Sequence, residues 1–205
     1  MIKLITPISS KDIETLVVGE KVLFTGTIYT ARDQAHLRLI DEPNPAFNLE
    51  GSVIYYVGPS PKKDGFAIGA SGPTSSYRMD KLSPPLMERG LKVMIGKGDR
   101  SEEFRKEMIK NKAVYLIATG GAGALLSSKI KKCDLIMYED LGAEAVYKLE
   151  VEEFPCFVAY DIYGNSIFDR SWLIIKKRVW NFISRQKVKL KLYQKFLLKT
   201  RTIFP

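Results

Sequence analysis

Hydrophobic positions along the chain alternate between strand-like apolar runs and helical spacings. The apolar run at residues 22–29 predicts a strand. A helix is expected to open near Thr30, because Ala31, Ala35 and Leu39 then share one face. Strand followed directly by helix is the pattern of an α/β fold.

The same alternation of strand, glycine loop and helix continues between about residues 66 and 139 and predicts parallel strands. Ser101 has the properties of a helix N-cap, and Phe104 and Met108 fall on the inward face of the helix that follows. A helical turn after Thr74 is expected to be broken at Pro84-Pro85, and a second helix is expected to run through Glu88. Further strands are predicted within 51–59, 91–98, 113–121, 132–139, 145–151 and 156–168, and a helix of small residues over 122–129.

Three loops lie where predicted strands run into helices: 71–74, 96–98 and 119–123. In open α/β sheets, ligands bind at the carboxyl ends of strands, where helix N-termini offer free N–H groups to anions. Hydroxyl groups and fixed positive charges follow the first two loops closely. An anion pocket is therefore one interpretation, and glycines that only make tight turns are the other.

The positive charge of the chain is confined to its end. The formal net charge is +9, yet residues 170–205 hold eleven lysines and arginines and no acidic residue, and residues 1–169 are close to neutral. We therefore predict a compact domain over 1–169 and a basic, helical extension over 170–205. The extension could pack on a partner or a second copy, lie on an anionic membrane surface, or be poorly ordered. A nucleic-acid binder is disfavoured because the domain itself is near neutral.

Several other residue patterns carry little chemistry. The sequence "TGGAGALL" at 119–126 lacks the third glycine of a dinucleotide-binding loop. His36 is the single histidine, so a histidine metal cluster is excluded and a structural hydrogen bond is expected of it. Cys133 and Cys156 cannot by themselves ligate an iron–sulfur cluster, and buried, inert thiols are expected. Two cysteines, no signal-like N-terminus and no run of eighteen apolar residues favour a cytoplasmic protein.

Six segments taken together resemble the β subunit of class I fumarate hydratase and the closely similar β subunit of L-tartrate dehydratase. They are "GTIYTARDQAH", "GPTSSYRMD", "KVMIGKGDRS", "YLIATGGAGALL", "YEDLGAEAVYKLEVEEFP" and "DIYGNSIF", and they run in order over about residues 5–168. The resemblance implies a three-layer, swivelling β/β/α domain. It also implies an α subunit that holds a 4Fe-4S cluster, in an α2β2 assembly; the present chain would hold no cofactor and no metal.

The resemblance also implies roles for four residues. The arginine of the "TARD" motif is Arg32, a substrate-binding residue, and the threonine of the "GPT" motif is Thr74, the catalytic base. Arg78 and Lys97 would both bind substrate and take part in catalysis. Thr74 is followed by Ser75, where the family often has a second threonine.

The implied reaction is the reversible hydration of fumarate to (S)-malate. Two cations suit a C4 dicarboxylate because guanidinium groups bind carboxylates in a bidentate manner. An alkoxide on Thr74 would need neighbouring cations and exclusion of water. Two alternatives remain: an L-tartrate dehydratase β subunit, and a non-catalytic carboxylate-binding or assembly module.

Overall fold

The computed structural model describes residues 1–62, 65–118 and 123–169. Residues Met1–Ile167 form one compact unit. The predicted extension over 170–205 lies outside the described residues, so its helical character and its role stay predictions. None of the described helices is both long enough and apolar enough to cross a membrane.

The described residues form a mixed α/β structure, which confirms the fold class at that level. The strands are β1 (Ile2–Ile5), β2 (Lys21–Thr30), β3 (Val53–Tyr55), β4 (Val93–Gly96), β5 (Val114–Ile117), β6 (Ile130–Met137) and β7 (Val146–Tyr160). The α-helices are α1 (Ser10–Glu14), α2 (Asp33–Asp41), α3 (Ser83–Glu88), α4 (Glu102–Lys110) and α5 (Gly123–Ser128). Two 3-10 helices cover Ser76–Met79 and Glu139–Glu144.

Strands β1 to β5 pair in chain order, and every one of these pairings is parallel. The prediction of parallel strands over 66–139 is therefore confirmed for β4 and β5 and wrong for β6, which pairs with β7 in the antiparallel direction. The parallel set begins earlier in the chain than the sequence pattern indicated. Strand β7 is antiparallel to β2, β5 and β6. Parallel neighbours end at the same edge of a sheet, so the loops after β2, β3, β4 and β5 are brought together.

Strand β2 is hydrogen-bonded along both edges. One edge carries β1 and then β3, and the other carries β7 from the Lys21–Phe157 pair to the Tyr29–Lys148 pair. Because β7 also pairs with β5, the strands β2, β3, β4, β5 and β7 form a closed circuit, with β1 and β6 added to it. In the described part of the chain, each of these five strands therefore has a hydrogen-bonded neighbour on both sides, and the edge strands are β1 and β6.

The core lies on one face of this circuit and follows the two-residue period of the strands. Alternate residues of β2, β3, β4, β5 and β7 point into it: Val22, Phe24, Ile28, Val53, Tyr55, Val93, Ile95, Val114, Leu116, Phe154, Cys156 and Val158. The opposite face also carries fully buried residues, among them Ile54, Met94 and Tyr115. Helices α2, α3 and α4 bury their own apolar residues as well.

Helix ends agree with the sequence pattern at Ser101 and depart from it at two other places. The Ser101 side chain accepts a hydrogen bond from the Phe104 N–H, which confirms the predicted N-cap of α4. Helix α2 begins at Asp33 rather than near Thr30, because β2 runs on to Thr30. The second helix predicted through Glu88 is present as α3. The two prolines do not break a helix, because they lie in the first turn of α3, where a missing backbone N–H costs no hydrogen bond.

The strands predicted within 145–151 and 156–168 are largely one strand, which is a correction to the sequence pattern. Strand β7 continues through Pro155 to Tyr160. Its pairing with β2 changes register near Gly26, and Glu153 has a positive φ of 50°. An irregularity of this kind lets a proline and acidic residues interrupt the apolar pattern without ending the strand.

His36 lies on the buried face of α2 and has a structural hydrogen bond, as expected. Its Nδ1 is 3.0 Å from the Arg32 carbonyl oxygen, which can only accept, so Nδ1 carries the proton. The ring packs edge-on against Tyr56, with 5.4 Å between ring centroids. Burial lowers the pKa of His36 to about 4, so the ring is neutral near pH 7.

A buried ion pair joins the segment after β3 to the start of α4. Asp80 accepts hydrogen bonds from Arg100 Nε at 2.5 Å and from the Ser101 N–H at 2.7 Å. The guanidinium carbon of Arg100 lies 3.5 Å from the centroid of the Phe104 ring and 4.8 Å from that of Tyr115. The Arg100 side chain is fully buried, so its charge depends on Asp80 and on these rings for compensation.

Asp80→Asn should lower the free energy of unfolding by about 3 kcal/mol, because it leaves a buried arginine charge without its partner. Urea unfolding of the full chain measures the loss. Asp140→Asn is the matched control, since that carboxylate pairs with Arg38 at the surface, where 64% of the Asp140 side chain is exposed. Similar losses of unfolding free energy in the two variants would show that the buried Asp80–Arg100 pair stabilises the fold no more than a surface pair does.

Candidate functional site

The residues singled out from the sequence follow the carboxyl ends of parallel strands. Arg32 comes two residues after the end of β2, and Lys97 comes directly after β4. The segment that contains Thr74 is hydrogen-bonded to Tyr56, the residue that follows β3. Parallel pairing therefore gathers these segments at one edge of the sheet, as expected for a ligand site in an α/β fold.

Thr74 is anchored to the end of β3 by two hydrogen bonds to one acceptor. Its backbone N–H and its Oγ1 donate to the Tyr56 carbonyl oxygen, at 2.9 Å and 3.0 Å. The Tyr56 N–H in turn donates to Ile95 of β4. Because the Thr74 hydroxyl donates its hydrogen bond to this carbonyl, its lone pairs remain available to accept a hydrogen bond from another group.

Lys97 is paired with the Thr74 segment through the backbone. Ser75 and Lys97 form an isolated parallel bridge, and the Ser76 N–H donates to the Lys97 carbonyl oxygen at 3.0 Å. The Lys97 N–H donates to Ser76 Oγ at 3.0 Å. The Lys97 side chain is exposed. The candidate base and the candidate lysine thus lie on two adjacent, hydrogen-bonded segments.

Each candidate arginine forms an ion pair with a carboxylate of the chain. Arg78 Nη1 lies 3.1 Å from Asp33 Oδ2, and Arg32 Nη2 lies 3.2 Å from Glu144 Oε1. Asp33 directly follows Arg32, so the two pairs are neighbours at the start of α2. The Arg78 side chain is 37% exposed and can be reached from solvent.

Arg32 is held more tightly than Arg78. A Cβ atom on Gly58 would lie 2.6 Å from Arg32 Nη1, so the guanidinium group would have to shift if a larger residue stood at this position. Within the described ranges, Arg32 Nε is buried and has no hydrogen-bond partner. A buried donor left unpaired is costly, which makes Arg32 Nε a candidate donor to a bound anion.

The third predicted loop is described only at its end. Residues 119–122 of the loop 119–123 lie outside the described residues. The Ser71 N–H donates to the Gly123 carbonyl oxygen at 3.4 Å, and a Cβ on Gly123 would lie 3.1 Å from the Gly72 nitrogen. The first residues of the Thr74 loop are therefore packed against the start of α5.

A cavity of about 1170 Å³ opens beside the candidate site. Arg78 and Asp33 contribute to its wall, and its apolar lining includes Leu37, Tyr77 and Phe104. Tyr77 and Leu37 are exposed. The cavity is therefore open to solvent on the side of α2 and of the 3-10 helix that carries Arg78.

Metal ligands are not grouped in the described part of the chain. No set of three or more histidine, cysteine or acidic side chains there could hold a metal ion. Cys133 on β6 and Cys156 on β7 are both free thiols. Cys156 is fully buried, as expected; Cys133 is only half-buried, and burial raises its pKa to about 11.

Several functional candidates were missed by reasoning from the sequence. Asp33 and Glu144 pair with the two arginines, and Asp80 and Ser76 connect the loops that carry Arg78 and Lys97. Asp33 and Asp80 stand inside the quoted motifs, so attention to the acidic residues of "TARD" and "RMD" could have found them. No sequence signal distinguished Glu144 or Ser76 from neighbouring residues of the same type.

Comparison with known proteins gives matches over most of the chain. The family model described as "Fumarase C-terminus" matches residues 1–171. The putative L(+)-tartrate dehydratase subunit beta of Methanocaldococcus jannaschii is 38% identical over 184 residues, covering 84% of this chain and 92% of that protein. The L(+)-tartrate dehydratase subunit beta of Escherichia coli is 30% identical, covering 85% and 90%.

Fumarate hydratases match over a smaller share of their own length. Fumarate hydratase 1, mitochondrial, of Leishmania major is 39% identical over 160 residues, which are 75% of this chain and 29% of that protein. The chain therefore corresponds to nearly the whole of two tartrate dehydratase β subunits and to less than a third of this fumarate hydratase. With a family-model match that spans the entire compact unit, this chain belongs to the family of fumarase C-terminal domains.

Proposed function

We propose that the chain is the β subunit of an iron–sulfur-dependent hydro-lyase that interconverts fumarate and (S)-malate. Family membership supports the class of reaction. The observation that carries the proposal is the joining of the Thr74 and Lys97 segments by the Ser75–Lys97 bridge, at the edge where Arg32 also follows its strand. We further propose that the domain is of the swivelling, three-layer β/β/α kind and closes over the substrate.

The iron–sulfur cluster is assigned to a partner α subunit. The described residues of this chain do not fit a cluster, because they contain no group of three metal-ligating side chains. A cluster iron on the partner would act as a Lewis acid toward the substrate hydroxyl. We propose an α2β2 assembly, and a cytoplasmic location is in keeping with the free thiols of Cys133 and Cys156.

The arginines of this chain would bind the two carboxylates of the substrate. Arg32 would bind the carboxylate farther from Thr74, to which its buried, unpaired Nε could donate a hydrogen bond. Arg78, which is partly exposed at the cavity, binds the other carboxylate. Guanidinium groups suit this task because their donors match the two oxygens of a carboxylate.

Thr74 would exchange a proton with the carbon next to the one that bears the hydroxyl. In malate dehydration an alkoxide on Thr74 would take this proton and the C–H electron pair would form the double bond. The C–O bond on the adjacent carbon would break at the same time, and its electron pair would leave with the hydroxide. The Tyr56 carbonyl, which now accepts from Thr74 Oγ1, cannot stabilise an alkoxide. An alkoxide on Thr74 would need a nearby cation for stabilisation, and Lys97 is the candidate because its segment is bridged to the Thr74 loop.

L-tartrate dehydration is the second candidate activity. The observation that favours it is the coverage of two tartrate dehydratase β subunits, 92% and 90% of their length. Malate and tartrate differ by one hydroxyl, so the same four residues of this chain would serve both reactions. A non-catalytic carboxylate-binding or assembly module would keep the arginines but would not need the Thr74 hydroxyl.

The chain purified alone should contain no iron and have no hydratase activity, whereas the chain co-expressed anaerobically with its α subunit should be active. The reason is that two cysteines on separate strands cannot hold a cubane cluster. Iron and sulfide analysis and turnover of malate, fumarate and L-tartrate measure the result. Stoichiometric iron in the isolated chain, or an inactive complex, would overturn the proposed function.

Thr74→Ala should lower kcat of the complex by roughly 10²- to 10⁴-fold and leave KM nearly unchanged, because the hydroxyl acts in proton transfer rather than in substrate binding. Thr15→Ala is the matched control: its Oγ1 also donates to a backbone carbonyl, at the end of α1, and its loss should leave kcat unchanged. Near-normal turnover by Thr74→Ala would assign the base to another residue.

Arg78→Ala should raise KM about ten-fold or more as well as lower kcat, since it removes a bidentate carboxylate contact. Arg38→Ala removes an arginine that is likewise paired with an aspartate, on the exposed side of α2, and should change neither constant. Steady-state kinetics of both variants with the same substrate make the comparison. An unchanged KM in Arg78→Ala would exclude it as a substrate ligand.

A further inference from the structure

Ser76 is a fully buried residue of the Thr74 segment, and it faces the segment that carries Lys97. Its Oγ accepts hydrogen bonds from the Lys97 N–H and from the Tyr115 hydroxyl, each at 3.0 Å. It lies 3.4 Å from the Thr74 carbonyl oxygen, to which it can donate. One side-chain oxygen thus contacts the backbone of both segments.

The surrounding packing is close around this oxygen. A Cβ on Gly96 would come within 1.9 Å of Ser76 Oγ, so the end of β4 is shaped around the hydroxyl. Burial raises the pKa of Tyr115, which therefore stays protonated and remains a donor. The same tyrosine hydroxyl lies 3.1 Å from the Gly98 carbonyl oxygen, one residue beyond Lys97.

The hydroxyl of Ser76 does not itself take part in the reaction, because its hydrogen-bonding capacity is used inside the protein. Its position instead decides where the Lys97 backbone lies relative to Thr74. The Ser76 N–H donates a hydrogen bond to the Lys97 carbonyl oxygen, and Ser76 Oγ accepts one from the Lys97 N–H. Lys97 is thus fixed at both its N–H and its carbonyl.

We propose that Ser76 is a positioning residue that holds Lys97 in register with Thr74, so that the lysine charge is in place when the Thr74 hydroxyl exchanges its proton. This inference rests on the proposed function. A misplacement of about 1 Å in a catalytic group can cost on the order of 100-fold in rate, so one buried hydrogen bond is enough to affect turnover.

The competing explanation is that Ser76 only stabilises the fold. Removing an acceptor from a buried N–H costs stability in either case. The two explanations differ in whether the change in kcat depends on the Lys97 side chain. If Ser76 acts through Lys97, removing the Ser76 hydroxyl should lower kcat. The size of that decrease should depend on whether the lysine side chain is present.

The test compares Ser76→Ala with Ser83→Ala in the complex with the α subunit. Ser83 is also fully buried, and its hydroxyl lies 2.9 Å from a tyrosine hydroxyl, that of Tyr56, so the chemical change is closely matched. We expect Ser76→Ala to lower kcat about ten-fold with KM changed less than about two-fold, and Ser83→Ala to leave both constants unchanged.

The double variant with Lys97→Ala shows whether the effect runs through the lysine. Adding Ser76→Ala to Lys97→Ala should lower kcat no further, whereas independent effects would multiply. Ser76→Cys keeps a weaker acceptor of similar shape and should give a kcat between those of wild type and Ser76→Ala. It also serves as the probe if Ser76→Ala does not fold.

The outcomes separate this inference from the proposed function. A wild-type complex without activity on malate, fumarate or L-tartrate would overturn the proposed function, and the role of Ser76 with it. An active wild-type complex in which Ser76→Ala and Ser83→Ala have equal kcat would overturn the role of Ser76 alone. A further loss of kcat in the double variant with Lys97→Ala would do the same.

Discussion

Parallel hydrogen bonding among β2, β3, β4 and β5 is the constraint on which the candidate site depends. Parallel strands end at one edge, and the residue that follows each strand is fixed by the pairing register rather than by its own loop. The Tyr55–Ile95 pair sets where Tyr56 accepts from Thr74, and the end of β4 at Gly96 sets where Lys97 begins. Antiparallel pairing of the same strands would send these residues to opposite edges.

Strand β7 makes that constraint rigid, because it pairs with both β2 and β5 and closes the circuit. A sheet open at β2 could twist its edge strands relative to one another, and the ends of β2 and β4 would then move apart. In the closed arrangement Arg32 and Lys97 belong to one connected set of hydrogen-bonded strands. Arg32 and Lys97, which lie within two residues of a strand end, are therefore held at reproducible positions.

The sequence predicted local features well and long-range partners poorly. The apolar run of β2, the Ser101 cap and the buried face of α2 could be predicted because each depends on residues within one or two turns. The pairing of Arg32 with Glu144 and of Arg78 with Asp33 could not, because the two members of each pair are distant from each other in the chain. Family resemblance supplied the candidate residues, but it gave no sign of the ion pairs that hold them or of the hydroxyl that joins their loops.

The ion pairs of the two arginines bear directly on how a dicarboxylate would be bound. A partly exposed pair such as Arg78–Asp33 contributes only about 0–1 kcal/mol, because solvent screens it. A substrate carboxylate can therefore share or replace Asp33 at small cost, and meanwhile the pair keeps the guanidinium group from folding onto other acids. The Arg32–Glu144 pair is less exposed and is packed against Gly58, so its geometry changes less. In the proposed reaction this difference favours Arg32 for fixed recognition of one carboxylate, and it leaves Arg78, which is more exposed, to bind the other carboxylate.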